Sequence, residues 1–414
     1  MKPFRKEKQK MERDLKRSGT FARAPSYEQA LMKIIECGSV YSFQKKFKDE
    51  VHLYGNALLT GVIEQLSKTP AKNDKILDLL NTSRFVRFLG SGGFGVTSLI
   101  ESNVLGKSFR FVFKHILPVS GMSLATDKEK ESWGDRFQMF WRKSSGNTKK
   151  SKILASHRLN RIRRSLMIQE SLRKNLEEKG NRNIIIPEIY SIVEAPRATI
   201  VQEYCPGASV FEHCQKINSM AHRIEIIYKV AQGIEECLHN FKVIHCDLKP
   251  DNILISGDGT PIIIDFDLVK HLDAQEDITI VGEGLGSIRF SHPKQLTSAI
   301  SRDIFSDIYT LGRVMWSCVL QRYPMRLEDF EEYELPEGIH RIFENTELSN
   351  YSSLEEFRKD LLEFLPKKMK KLEKPLLKNI NWGETISVKV PQRYSNQIIL
   401  SINVIKEIEK CIKI

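Results

Sequence analysis

Paired-cysteine chemistry has little to work with in this chain. Its seven cysteines, Cys37, Cys205, Cys214, Cys237, Cys246, Cys318 and Cys411, are odd in number, and none forms a C-x-x-C clip with another. That argues against a disulfide framework or a zinc site and for a reducing, cytoplasmic compartment. No run of eighteen apolar residues occurs, so nothing is expected to span a bilayer as a helix. The N-terminal stretch MKPFRKEKQKMERDLKRSG is basic and lacks the apolar centre of a secretory signal. Internal repeats are absent, which removes solenoid architectures. Acidic residues are in deficit: 52 Asp and Glu face 64 Lys and Arg, a net charge of +12. Such an excess suits acidic partners, among them nucleotides, anionic lipid, nucleic acid and acidic proteins, and serves solubility equally well.

The remaining composition, 41% hydrophobic and 28% charged over 414 residues, is that of a globular chain with room for two or three domains, or one bilobal enzyme with extensions. Residues 1–24 form a basic arm. Residues 26–80 carry helical spacing, with Leu31, Ile34 and Ile35 and then Leu58, Leu59, Val62, Ile63 and Leu66 on shared faces. From Arg84 the pattern turns to strands: RFVRFLGSGGFGVTSLIES reads as strand, glycine turn, strand, and SFRFVFKHIL as a third. A basic insertion follows at about 119–160. SLMIQESLRKNLEEKG then reads as a helix closed by Gly180, and NIIIPEIYSIVE and ATIVQEYC as strands. Beyond Pro206 amphipathic helices dominate, including RIEIIYKVAQGIEECLHNF, SDIYTLGRVMWSCVL and SSLEEFRKDLLEFL. A strand-rich half followed by a helix-rich half predicts an α+β protein of two lobes. The expected divisions are an arm and helical extension over 1–83, a small lobe over 84–203, a helical lobe over 204–366 and a tail over 367–414.

Several residues carry chemistry. Gly90-Ser91-Gly92-Gly93-Phe94-Gly95 is a G-x-G-x-x-G loop between two strands. Its glycines let backbone N–H groups approach phosphate oxygens, although three glycines alone equally make a hairpin turn. Lys114, 24 residues beyond Gly90, lies on a strand from which its ammonium can reach phosphates under that loop. Glu170, on the next helix, is the expected partner that fixes Lys114. The densest segment is His245-Cys246-Asp247-Leu248-Lys249-Pro250-Asp251-Asn252. There Asp247 can accept the proton of an attacking hydroxyl, Lys249 can neutralise a moving phosphoryl group, and the Asn252 amide oxygen can hold Mg²⁺. Asp265 follows 13 residues after Asn252, placed to bind the same metal. Each Asp alone could be a turn or cap residue; their joint spacing is what points to a site.

With these motifs in order, the chain from about residue 84 to about 365 resembles the eukaryotic-type protein kinase superfamily. GSGGFG resembles its glycine-rich loop, FVFK its V-A-I-K strand, HCDLKPDN its H-R-D-L-K-x-x-N loop and DFD its D-F-G. VQEYCPG resembles the hinge, with Gln202 as gatekeeper and Glu203, Tyr204 and Cys205 facing adenine. SDIYTLG resembles the D-x-x-x-L-G helix, with Asp307 bracing the catalytic loop. The resemblance implies a small β-rich lobe over a helical lobe, ATP in the cleft, Mg²⁺ (or Mn²⁺) as metal, and a protein hydroxyl as acceptor. Lys249 followed by Pro250, and Ser287 where such kinases place a Thr, imply the Ser/Thr type.

Departures set further expectations. Val96 comes one place early after the glycines, with Thr97 at the expected Val position. Cys246 replaces the arginine that receives an activation-loop phosphate, which implies competence without that phosphate. Asp267 replaces the D-F-G glycine, removing easy access to positive φ or adding a carboxylate. Lys294 stands at the A-P-E glutamate, and its usual arginine partner is missing near Asn350, so both members of a buried pair are gone together. The stretch between Leu320 and Tyr351 is short, which implies reduced outer helices. The alternative functions are a pseudokinase scaffold, motivated by these changes, and a kinase of lipids or small molecules. The arm and insertion, the latter holding Trp133, Phe137, Phe140 and Trp141, suit an anionic membrane or another acidic partner. No specific nucleic acid is indicated.

Overall fold

The computed structural model describes residues 24–68, 80–91, 95–104, 107–116, 149–193, 198–272, 289–293, 303–324 and 335–365. The basic arm, the four insertion aromatics, Gly92, Gly93, Phe94, Ser287, Lys294 and the tail lie outside the described residues.

The expected N-terminal helices form: α1 (Tyr27–Glu36), α2 (Val40–Lys46) and α3 (Val51–Lys68). Ser26 starts α1 with a capping box, its hydroxyl taking the Gln29 N–H while the Gln29 side chain takes the Ser26 N–H. Ser39 caps α2 by accepting the Ser42 N–H through its hydroxyl. The apolar faces of these helices do not make a core of their own. Leu31, Ile34, Phe43, Leu58 and Val62 join one buried cluster with Phe85, Phe88, Ile100, Phe111 and Phe113 of the adjoining sheet.

That sheet holds β1 (Ser83–Ser91), β2 (Gly95–Val104), β3 (Lys107–Ile116), β4 (Ile189–Val193) and β5 (Thr199–Glu203) in the order β1-β2-β3-β5-β4. All its pairings are antiparallel. Polar stitches add to the shared core. The Val40 N–H, at the start of α2, donates to Ser91 Oγ of the glycine loop at 2.9 Å. Tyr27 Oη lies 3.2 Å from His115 Nδ1 and 3.3 Å from Thr199 Oγ1, and Ser98 Oγ lies 3.2 Å from His115 Nε2. Burial pushes His115 down to about 3, so this neighbour of Lys114 is a neutral structural imidazole.

Helix α4 spans Lys149–Glu178, sixteen residues ahead of the start predicted at Ser165. The segment KKSKILASHRLNRIRR contains neither Gly nor Pro, and its Lys, Arg, Leu and Ala are good helix formers; its charge made it read as insertion. The far end is as predicted. Gly180 adopts φ 61°, and the Asn181 N–H donates to the Leu176 carbonyl at 2.9 Å, a left-handed cap that glycine accepts without strain.

The second lobe packs α5 (Val210–Gln215), α6 (Met220–Cys237), α7 (Ile304–Leu320), α8 (Glu337–Glu347) and α9 (Leu354–Leu361) around one core. Ile227, Val230, Ile234, Leu311, Met315, Trp316, Phe343 and Phe357 are all buried in it. Short strands β6 (Ala208–Ser209), β8 (Ile253–Ile255) and β9 (Pro261–Ile263) form one sheet. Strands β7 (Val243–Ile244) and β10 (Lys270–His271) form another. Gly207 sits so close to this platform that an added Cβ would meet the Ile255 carbonyl at 2.9 Å. The chain leaving β5 is thereby laid directly on the strand that follows the Asp247 loop.

If the extension and the first lobe are one cooperative unit, Phe43→Ala, at a fully buried ring, should cost about 3–5 kcal/mol. It should lower the melting of the whole small lobe in calorimetry. A separate minor transition that alone moves would show that the extension folds by itself.

Candidate active site

The loop between β7 and β8 is shaped by one buried carboxylate. Asp307, on the first turn of α7 and fully buried, accepts the His245 N–H at 2.7 Å through Oδ2 and the Cys246 N–H at 2.8 Å through Oδ1. His239 Nε2 lies 3.2 Å from Oδ2. Burial pushes the Asp307 carboxyl up, but the His239 hydrogen bond and the surrounding donors outweigh it and hold the group below its ordinary value. These two N–H bonds secure Cys246 at φ 65°, a left-handed conformation that costs a non-glycine residue energy and persists where the surroundings over-determine it. The Cys246 side chain points into an apolar cluster with Ile244, Leu268 and Ile304. A buried thiol in apolar surroundings therefore stands beside Asp247.

The turn brings three polar side chains together. Asp247 is buried, and its Oδ2 accepts from Lys249 Nζ at 2.7 Å and from Asn252 Nδ2 at 3.0 Å. Asn252 Nδ2 also donates to the Asp247 carbonyl at 2.9 Å. With its NH₂ committed in this way, the amide oxygen is the atom Asn252 has left for a cation. Burial lowers Lys249, and the Asp247 and Asp265 charges outweigh it, so the ammonium stays protonated. His245 Nε2 donates to the Ile264 carbonyl at 3.1 Å, tying this loop to the end of β9. Its ring meets Phe266 edge-on at 5.0 Å between centroids.

Asp265, two residues past that strand, lies at φ 67°, a second strained non-glycine residue close by. Lys114 Nζ on β3 donates to Asp265 Oδ1 at 2.5 Å and to Asp267 Oδ2 at 2.6 Å. Lysine and carboxylates 151 and 153 residues apart in sequence are thereby joined across the two lobes. Burial favours the neutral amine, but the two carboxylates outweigh it and hold Lys114 firmly charged. Asp265 is in turn held down to about 2: burial raises it, and Lys114 and then Lys249 overcome that.

Most of the sequence-predicted residues therefore converge. Lys114, Asp265 and Asp267 make one linked cluster, and Asp247, Lys249 and Asn252 make another, which the electrostatic contact between Lys249 and Asp265 joins to the first. Gly90 and Ser91 end β1, and Gly95 opens β2 so close to β3 that a Cβ would meet the His115 carbonyl at 2.6 Å. Val96 is buried and Thr97 pairs with Lys114 across β2 and β3. Gln202 and Glu203 end β5 between β3 and β4, and the Glu203 N–H is taken by the Glu188 carbonyl at 2.8 Å. Tyr204 follows them, and Cys205 is buried, its thiol pushed up by that burial.

One predicted contact is not made. Glu170 does not pair with Lys114; its carboxylate takes Arg173 at 2.9 Å and lies 3.8 Å from Lys174. Arg173 is a buried cation in the last two turns of α4 that also reaches Glu177 and Glu188, and it draws Glu170 along the helix. Asp267, by contrast, was legible as an added carboxylate. It lies in a short helical turn, Phe266–Leu268, and is not among the residues at positive φ, so losing glycine there costs no strain. Next to the segment that leads to Lys294, Arg313 pairs with Glu347 at 2.9 Å, and His292 Nε2 lies 3.2 Å from Ser349 Oγ. The Asn350 side chain donates to Asn345 at 3.2 Å.

A β-sheet lobe joined to a helical lobe by a hinge, with a lysine, two metal-type ligands and a candidate base at the junction, defines a protein kinase domain. Residues 142–378 match the protein kinase domain family, and the chain belongs to that family as a divergent member. It is 30% identical over 246 residues to serine/threonine-protein kinase C of Synechocystis sp., covering 57% of this chain and 38% of that protein. It is 26% identical over 261 residues to serine/threonine-protein kinase PknA of Nostoc sp., covering 62% and 39%. Sperm motility kinase 3A of Mus musculus is 29% identical over 143 residues, 33% of this chain and 28% of that protein. The chain thus spans less than two fifths of the length of these relatives.

Replacing Asp307 by Ala leaves two buried N–H groups without an acceptor and should cost about 3 kcal/mol or more. Denaturant unfolding checks this. Asp307→Asn, which keeps one acceptor oxygen, should lose clearly less.

Proposed function

We propose that this domain transfers the γ-phosphoryl group of ATP to a Ser or Thr hydroxyl of a protein. The observation that carries the reading is the direct contact of Lys114 with Asp265, beside the Asp247–Lys249–Asn252 cluster. Relatives named as serine/threonine kinases support the acceptor type.

The residues present fit ATP with Mg²⁺. Asn252 and Asp265 offer an amide and a carboxylate oxygen, a hard all-oxygen donor pair of the kind Mg²⁺ takes together with waters and substrate phosphates. Bound metal supplies charge neutralisation on the β- and γ-phosphates. The chain's own groups do the rest. The glycine loop and Lys114 hold phosphate oxygens, and Gln202 to Cys205 line the adenine side. Asp247, oriented by Lys249 and Asn252, accepts the hydroxyl proton as the new O–P bond forms and the bond to the bridging oxygen breaks. Lys249 offsets the negative charge of the moving group, and no covalent enzyme intermediate is needed.

Labelled ATP with full-length protein and a generic protein acceptor tests this. Asp247→Ala should lower transfer by about 10²–10⁴-fold. Nucleotide binding without transfer in the unaltered protein would favour a scaffold instead, and transfer to lipid or small molecules with none to protein would change the acceptor class.

The basic arm and insertion support an anionic membrane surface as partner, in a reducing cytoplasm. Cosedimentation with acidic vesicles should be lost at high salt, where charge attraction is screened. Binding that persists in neutral vesicles or at high salt would overturn it.

A further inference from the structure

Lys114 has a counterion problem that the family pattern solves with a helix glutamate. Here that solution is absent, because Glu170 belongs to Arg173 and Lys174. Two carboxylates of the DFD segment take its place, and they differ in surroundings. The Asp265 side chain is 26% exposed, whereas that of Asp267 is 10% exposed, matching the 10% of Lys114. Asp265 therefore faces the cleft, and Asp267 lies behind it at the depth of the ammonium. The turn carrying Asp267 is anchored: Phe266 is buried against the His245 ring and shares a core with Leu172 and Leu176 of α4. A carboxylate on such a turn has a fixed position, as a positioning group needs.

We propose that Asp267 is the positioning residue for Lys114, doing from within the metal-binding segment what a carboxylate on the α4 helix does in the family pattern. Asp265 is then free to turn toward metal while Lys114 keeps a counterion. The lysine's placement is tied to the order of the DFD turn and not to a charge on α4. The idea rests on the nucleotide reading of the same cleft.

The test reads nucleotide binding apart from turnover. Full-length wild type, Asp267→Asn, Asp267→Glu, Glu170→Gln, Lys114→Met and the Lys114→Met/Asp267→Asn double variant are titrated with a fluorescent ATP analogue in EDTA. Thermal melting checks their folding. The Mg²⁺ concentration for half-maximal transfer is measured on those that turn over. Asp267→Asn is expected to weaken metal-free binding about tenfold, with Asp267→Glu recovering part of it. The double variant should bind no worse than Lys114→Met alone, because the two residues act as one unit. Additive losses in the double variant would overturn the proposal. So would wild-type-like binding of Asp267→Asn with a shifted Mg²⁺ midpoint, which makes Asp267 a metal ligand. A loss in Glu170→Gln equal to that in Asp267→Asn would return the role to the helix. If wild type binds the analogue yet transfers nothing, the catalytic reading fails and this one stands on the binding data; if wild type binds no nucleotide, both fall.

Discussion

A charged lysine buried between two lobes is the constraint on which the rest of the site depends. Taking an ammonium out of water costs several kcal/mol, and only well-placed opposite charge offsets it. Lys114 sits on the central strand of the sheet lobe, while Asp265 and Asp267 follow β9 in the helical lobe. Charge compensation therefore ties the two lobes together at this point. The same contacts hold the Lys114 ammonium beside the segment that follows β9.

That placement needs a rigid floor. Cys246 and Asp265 both lie at positive φ without being glycine. Each is secured from its own side: Cys246 by the buried Asp307 carboxylate, Asp265 by Lys114 and by the anchored Phe266 turn. The hydrogen bond from His245 to the Ile264 carbonyl links the two strained points. Strain stored at both ends of one short linkage, with a full set of compensating bonds, marks a loop ordered before any ligand arrives.

The local motifs were readable because their spacing is short and their chemistry dense. The loop from His245 to Asn252, the strand with Lys114 and the helix with Asp307 fall where the residues indicated. What could not be read was competition among charges of equal chemical merit. Glu170 lies on the expected helix, and nothing in its spacing reveals that Arg173 will be buried three residues on and claim it. The early start of α4 was hidden in a similar manner, since a basic, polar stretch without breakers has helix propensity but no apolar stripe to announce it. The union of the N-terminal helices with the sheet also escaped notice. Period alone shows that Leu31 and Ile34 share a face, not which surface that face will cover.

Where this chain leaves the family pattern, charges change in sets, as the physics of burial requires. The carboxylate of α4 is redirected to an arginine on its own helix, and a new carboxylate enters at position 267. The family's arginine beside Asp247 is replaced by Cys246, whose thiol lies in an apolar cluster. The expected late arginine is missing, while a different buried pair, Arg358 with Glu235 at 2.7 Å and the Tyr228 hydroxyl at 3.0 Å, binds α9 to α6. Removing one member of a buried pair leaves an uncompensated charge, whereas removing or moving both can be nearly neutral. Among the described residues, Lys114, Asp247, Lys249, Asn252 and Asp265 each make a hydrogen bond or ion pair that offsets the burial of a polar group.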